Sequence, residues 1–339
     1  MSLETPWLAD LDPSVVEDAV TWLADAAARG ATVVIAAHVG PDGDALGAAL
    51  ALHLALSARG ARTFPTVGEE PLKIPAPLSD LPGVGDLAAP ATLPPPAEVD
   101  LLVTVDAASP ARLGSVARYL DVDVPTLVID HHTSSTGFGD LRLIAPSAAA
   151  TVQVVAMLLD RLEVPIDREI ATCLYVGLVT DTGRFGHAAT DTAAMELGGR
   201  LLAAGVDHAE LTRRLFDTRS LGELKLLGRA LDRLEFVPGV ALVHTHLTSE
   251  ELAAAGSGFE ATEALIDVLR SADVAEVALM LKPGPDGTWR ASLRSRGTVD
   301  VGAIAAAFDG GGHAFAAGFT AEGTAHEVVD QVVALLREV

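Results

Sequence analysis

Seven side chains able to hold a metal or move a proton stand at the ends of three short apolar runs. His38 closes the run ATVVIAAH (31–38), and Asp42 and Asp44 follow in the turn VGPDGD. Asp106 closes LLVTVD (101–106). Asp130 closes TLVID (126–130), and His131 and His132 follow at once. Taken singly, each has an ordinary reading: a strand-end aspartate caps a helix, a lone histidine packs, and paired histidines mean little. Together, H-x3-D-x-D, then D, then DHH, each at the end of an apolar run, form a pattern that chance placement explains poorly. In a parallel sheet all strands point one way, so these ends line one edge, where open α/β sheets bind ligands.

Such a crowd of carboxylates is unstable by itself. Two of them about 4 Å apart repel by roughly 4 kcal/mol at an effective dielectric near 20. Either their pKa values rise or cations sit among them. Asp181, in GLVTDTGRF at the end of an expected helix, joins Asp42, Asp44 and Asp106 as a fourth candidate ligand. Two divalent ions balance that charge. Mixed imidazole and carboxylate donors suit a borderline ion such as manganese. A metal pair roughly 3.5–4 Å apart is the usual device for in-line attack at phosphorus.

The elements that must position these residues follow from periodicity. Residues 13–29 carry apolar side chains at helical spacing, and 31–38 is a β-branched run that reads as a buried strand. Ala45–Arg59 is the next helix, ended by Gly60. Gly40, Pro41 and Gly43 either make a tight turn or let that turn present both aspartates. Residues 65–97, rich in proline and glycine, read as loop with short pieces. The runs 101–106 and 126–130 are two further buried strands, and Thr151–Leu162 and Arg168–Thr180 are helices. Residues 191–235 look helical throughout, with Leu201, Leu202, Leu211, Leu215, Leu224, Leu227 and Leu231 on shared faces. Beyond them come a strand at 236–247, a helix at 261–271 and strands at 275–282 and 288–296 around PGPDG. A helix at 299–308, the cluster GGGH at 310–313, a strand near 314–322 and a helix at 325–338 complete the chain. The fold class is α/β: a parallel-sheet domain with helices on both faces, then a smaller α/β domain.

Bulk composition narrows the function classes. The 339 residues are 50% apolar and 20% charged, enough to bury two cores. A net charge of −23 disfavours a long duplex nucleic acid, which binds by phosphate neutralisation, but leaves a short nucleotide open. Cys173 is the sole cysteine, which excludes an intrachain disulfide and fits a reducing compartment. MSLETPWLADLDPS lacks the basic-then-apolar order of a signal peptide, and no apolar stretch is long enough for a membrane span. The expectation is a soluble, cytoplasmic protein with no membrane partner.

In the second domain, Arg294 and Arg296 stand two apart on an expected strand and so share a face. Arginine grips phosphate bidentately, although a solvent-facing pair is the plain alternative. Ser295 points to the opposite face and is the weaker candidate.

These motifs, in this order, resemble the DHH phosphoesterase family in its DHH–DHHA1 form. AAHVGPDGDALG resembles the first motif, VTVDAAS the second, VIDHHTS the name-giving third and GLVTDTGRF the fourth. SLRSRGTVDVGAIAAAFDGGGHAFAAGF resembles the DHHA1 signature. The resemblance spans nearly the whole chain and points to the NrnA-type branch of oligoribonucleases and pAp phosphatases. It implies a DHH catalytic domain over 1–190, a helical linker over 191–225 and a DHHA1 substrate-binding domain over 226–339. It implies that His38 and Asp42 hold one metal, that Asp44 and His131 hold the other, and that Asp106 and Asp181 are shared. His132 would face the scissile phosphate, with Asp130 orienting a histidine ring. Gly311, Gly312 and His313 would approach the nucleotide, with a helix-ending turn over Gly310–Gly312 as the plain alternative.

The implied activity is metal-dependent hydrolysis of nanoRNA, pApA or cyclic di-AMP to mononucleotides, and of pAp to AMP, with short substrates favoured by a cleft between the domains. A homodimer is implied as well. Two alternatives stand beside it: a manganese-dependent inorganic pyrophosphatase, disfavoured by the DHHA1-like second half, and a non-catalytic nucleotide sensor, disfavoured by the complete ligand set.

Overall fold

Val33, Val34, Ile35, Ala36 and Ala37 have no solvent exposure, because the strand they form, β1 (Thr32–Ala37), is covered on both faces. A computed structural model describes residues 6–256, 262, 265–284 and 287–338. The chain divides into two compact units, Met1–Asp217 and Thr218–Val339.

In the first unit, α1 (Pro13–Arg29) precedes β1, and Asp12 caps it through the Ser14 amide. Next come α2 (Gly43–Ala58), β2 (Arg62–Val67), β3 (Leu101–Val105), β4 (Thr126–Asp130) and β5 (Leu141–Ile144). Helices α3 (Thr151–Arg161), α4 (Arg168–Asp181), α5 (Thr192–Ala203) and α6 (His208–Phe216) follow. All five strands are parallel, in the order β2-β1-β3-β4-β5. On one face, Val33, Ile35, Val103, Val105 and Ile129 share a core with α1 to α4. On the other, Val34, Ala36 and Leu102 pack under Leu113, Val116 and Tyr119 of the 3-10 helical segment Pro110–Tyr119.

The strand order reverses between β1 and β3, since the chain leaves β1 toward β2 and returns on β1's other side. Parallel sheets leave a crevice at such a switch point, beyond the C-terminal ends of the strands. His38 and Asp106 stand immediately past the two strands that flank it.

The second unit holds α7 (Leu221–Asp232), β6 (Glu235–Val237), β7 (Leu242–His246), α8 (Ser249–Ala255), α9 (Leu265–Arg270), β8 (Val277–Pro283) and β9 (Trp289–Ser295). It closes with α10 (Val301–Ala306), β10 (Gly311–His313), β11 (Ala316–Ala321) and α11 (Ala325–Leu336). Its sheet runs β10-β11-β9-β8-β7-β6, antiparallel except for β7 with β8. Helices α10 and α11 cover one face, and α7 and α9 the other.

Several expectations need correction. The stretch 191–235 is three helices, with α5 and α6 in the first unit and α7 in the second. Its leucines therefore share faces only within a helix: Leu201 of α5 and Leu211 and Leu215 of α6 pack on the first core, whereas Leu224 and Leu231 of α7 are exposed, as is Leu202. The strand expected over 236–247 is broken by a 3-10 turn and by Ala241 at φ 47°, giving β6 and β7. GGGH is only in part a helix-ending turn: the Gly310 amide donates to the Ala305 carbonyl at 2.9 Å at the end of α10, and Gly311–His313 pairs with β11. Residues 261, 263 and 264 of the expected helix 261–271, and 285–286 of the PGPDG turn, lie outside the described residues. Among the described residues, no helix is long and apolar enough to cross a membrane.

Candidate metal centre

Two helices bring the first and fourth motifs together because side chains are missing between them. A Cβ on Gly47 of α2 would meet the Cys173 carbonyl oxygen of α4 at 2.4 Å. A Cβ on Gly177 of α4 would lie 2.9 Å from Asp44 Oδ1, and one on Gly43 would lie 2.3 Å from Thr180 Oγ1. Only glycine permits this approach, so the start of α2, with Asp44, lies against the end of α4, with Asp181. Both readings of the VGPDGD turn therefore have a place: Gly40 takes φ 63°, and Gly43 makes room for α4.

Asp42 caps α2, its Oδ1 accepting from the Asp44 and Ala45 amides at 3.0 Å each, while Oδ2 lies 3.7 Å from His38 Nε2. Asp44 is fully buried and accepts from the Thr151 and Val152 amides at 2.5 and 3.0 Å, at the start of α3. Asp106, buried, adopts φ 57° and accepts from Thr151 Oγ1 at 2.9 Å. Its two oxygens lie 3.6 Å from His38 Nε2 and 3.7 Å from His131 Nε2. Asp181 Oδ2 is 3.3 Å from His131 Nε2. Asp130, buried beneath, accepts from the His131 and His132 amides and lies 2.8 Å from His132 Nδ1.

The electrostatics show the crowding. Burial, then the charges of Asp106, Asp181 and Asp42, hold the Asp44 carboxyl well above the carboxylate range. Burial, together with Asp106 and Asp42, raises Asp181 to about 6 against the pull of His131 and His132. Burial opposes charge on His38, yet its bonds to Asp106 and Asp42 raise it to about 10. Protons are doing here what a cation does better. His38, Asp42 and Asp106 offer one ligand atom each within 4.8 Å of one another, as do Asp44, His131 and Asp181, and Asp106, His131 and His132. Nitrogen and oxygen donors without sulfur, around carboxyls that cannot ionise together, fit divalent cations.

Two features here went unseen in the sequence. Arg112, in the segment after β3, reaches within 2.9 Å of His38 Nδ1. Gly183, Arg184 and Phe185, which follow Asp181 after Thr182, all take the left-handed conformation, with φ 55°, 60° and 62°. The Thr182 hydroxyl accepts from the Phe185 amide and holds that run in place. A shared turn after a strand and a run of positive φ leave no sequence periodicity to read.

The second-unit candidates are arranged differently. Arg294 Nε lies 3.7 Å from Asp267 of α9. Arg296, one residue beyond β9, donates to the carbonyls of Ala272 and Asp273. Both thus turn toward the α9 side, while buried Ser295 donates to Glu276. A Cβ on Gly312 would strike Ala316 O at 2.4 Å, so strand pairing requires that glycine, whereas Gly311 faces open space. The side chain of His313 lies outside the described part of the structure.

Comparison with known proteins agrees with this architecture. Residues 32–178 match the DHH family, N-terminal domain, and residues 252–339 match the DHHA1 domain. The bifunctional oligoribonuclease and PAP phosphatase NrnA of Thermus thermophilus is 36% identical over 90% of this chain and 89% of its own. An exopolyphosphatase-related protein from Bacteroides fragilis has the same fold, with a TM-score of 0.88 at 24% identity, covering 96% of each chain. RecJ from Thermus thermophilus, solved with Mn2+, superposes with a TM-score of 0.59 at 17% identity, over 97% of this chain and 55% of RecJ. A relative this similar along almost its whole length, and two domains matched in order, establish that the chain belongs to the DHH family, in its DHH–DHHA1 form, and is a hydrolase of that family.

Proposed function

We propose that this protein is a divalent-metal-dependent phosphoesterase that cleaves short oligoribonucleotides, including nanoRNA, pApA and cyclic di-AMP, to mononucleotides and converts pAp to AMP. The observation that carries this reading is the pair of three-ligand groups at one sheet edge, joined by Asp106 between His38 and His131. His38, Asp42 and Asp106 would hold one ion, and Asp44, His131 and Asp181 the other. Two such ions, manganese by donor type, supply positive charge at a phosphoryl oxygen and a water of lowered pKa. Asp130 fixes the His132 ring, which serves at the scissile phosphate as acid or electrostatic stabiliser.

Arg294, Arg296, Ser295, Gly311, Gly312 and His313 are the residues we assign to nucleotide recognition in the second unit. Arg294 and Arg296 would then exchange their present contacts with Asp267, Ala272 and Asp273 for phosphate. The net charge of −23 supports small substrates over long polyanions. A homodimer is part of the proposal, supported by exposed Met195, Leu202, Leu221 and Leu224. So is a reducing, cytoplasmic setting, which suits the single buried cysteine.

A substrate panel tests the reading: pAp, pApA, cyclic di-AMP, a long RNA and pyrophosphate, each with Mn2+, with AMP and phosphate quantified. AMP release from pAp and pApA, abolished by EDTA, is expected. Faster turnover of pyrophosphate than of any nucleotide, or no metal-dependent AMP, would sink it.

A further inference from the structure

We infer that Thr151 is a positioning residue for one ion of the metal pair: it fixes the carboxylate oxygens on the His131 side of the cluster and leaves the His38 side alone. The inference rests on the two-ion reading above and adds a residue to it.

Helix α3 begins without a cap of its own, because Ala150 at its N-cap has no side-chain oxygen to offer. The first amides of the helix need an outside acceptor, and Asp44 serves two of them. The Thr151 amide donates to Asp44 Oδ2 at 2.5 Å, and the Val152 amide to Oδ1 at 3.0 Å. Thr151 adds a second bond: its hydroxyl donates to Asp106 Oδ1 at 2.9 Å. One residue thus ties together two carboxylates that enter from different strands, Asp44 beyond β1 and Asp106 beyond β3.

The oxygens that Thr151 holds lie on one side of the cluster. Asp44 Oδ2 and Asp106 Oδ1 are 4.0 and 3.7 Å from His131 Nε2. His131 is braced by the same stretch of chain, since its Nδ1 lies 3.1 Å from the Ala148 carbonyl oxygen. The other oxygen of Asp106, Oδ2, lies 3.6 Å from His38 Nε2 and is not the one bound by Thr151. Asp42 is held from elsewhere, by the amides of Asp44 and Ala45. Nor can the start of α3 slide. Thr151 is fully buried, and a Cβ on Gly177 of α4 would lie 2.5 Å from Val152 Cγ1, so the first turn is wedged against α4. A buried carboxylate needs a donor wherever it sits, which alone accounts for one bond. Two carboxylates held by one residue, both beside one histidine, go further: their spacing is fixed. An ion on that side depends on this spacing, because hydrogen bonds behind a ligand set where its donor atom stands. The ion on the His38 side shares only Asp106 with it, through the other oxygen.

The test adds Mn2+ by calorimetry to the EDTA-stripped full chain, in the parent, Thr151→Val, Thr151→Ser and Asp42→Asn. Electron paramagnetic resonance on the same samples distinguishes a coupled ion pair from a single ion. Thr151→Val removes the hydroxyl and keeps the amide bond to Asp44. One of its two binding steps is expected to weaken by roughly ten- to hundredfold, with the other within about twofold of the parent. At a Mn2+ concentration that fills both sites of the parent, its spectrum should be that of a single bound ion. Thr151→Ser keeps the hydroxyl and should restore both the weakened step and the coupled spectrum. Asp42→Asn touches the other group and should weaken the step that Thr151→Val spares. Equal loss in both steps of Thr151→Val, or loss in neither, overturns the inference. So does loss of the same step in Thr151→Val and Asp42→Asn, or a serine variant that behaves like the valine. A parent that binds fewer than two ions defeats the two-ion reading itself, and the inference with it, before any variant is compared.

Discussion

Asp106 holds a left-handed φ of 57° while its carboxylate stands between His38 and His131. Aspartate tolerates that backbone better than most residues, and asparagine tolerates it equally. Asp106→Asn therefore keeps the shape and removes one negative charge. Hydrolysis should drop on the order of 10²–10³-fold, because a ligand central to both groups is lost. A variant that kept activity in Mn2+-replete buffer would contradict the placement. The aspartates and histidines were legible in the sequence because a strand end fixes where a side chain stands. Arg112 was not, since its approach to His38 depends on one backbone bond across some seventy positions, from the Val39 amide to its own carbonyl. The double amide bond to Asp44 from the start of α3 was equally invisible, for the same reason.

Elements were read well where periodicity was strong and badly where pairing alone made them. Helix α1 and strand β4 fall on the expected residues. The strands β2 and β5 were missed. β2 carries Pro65, tolerable because β2 is an edge strand, and β5 is a short edge segment, LRLI. Helix α8 was hidden by its length, and is held by the capping box of Thr248 and Glu251. That box also engages Arg233: its Nη2 lies 2.9 Å from Glu251 Oε1, and this bond is the main reason the Glu251 pKa falls to about 2. A depressed carboxyl contributes stability above its ordinary value of 4.5, lost as pH falls toward about 2. Glu251→Gln should thus cost about 1–2 kcal/mol in urea denaturation at pH 7, and the difference should shrink below pH 4.5. A constant difference across that range would show that the charge is not responsible. In the first unit, Gly47→Ala should cost roughly 1–3 kcal/mol or more through overpacking, and weaken Mn2+ binding by displacing Asp44 from Asp181. Unaltered stability and Mn2+ affinity would refute the proposed role of the crossing.

At the scale of the molecule, each unit has its own hydrophobic core, with Ile35, Leu50 and Leu174 in one and Leu279, Leu293 and Val332 in the other. The ligand groups belong entirely to the first. Metal removal should therefore act on one unit. Ions at about 100 times their Kd stabilise by roughly 2.7 kcal/mol, so EDTA should lower the first unit's calorimetric transition and leave the second's in place. Loss of both in parallel, or of neither, would count against a metal site confined to residues 1–217. The two-part α/β organisation was legible from alternating runs and helices. Which unit each helix of 191–235 joins was not, because only packing decides it.

The empty Cα positions on α2 and α4 carry a genetic consequence. At Gly43 the obstacle to a methyl group is the Thr180 side chain, which can be trimmed. Gly43→Ala should be suppressible by Thr180→Gly. At Gly47 the obstacle is a main-chain oxygen, that of Cys173, which no codon change removes. Two neighbouring glycines on one helix thus differ in kind: one can drift together with a partner, and the other has no partner to drift with.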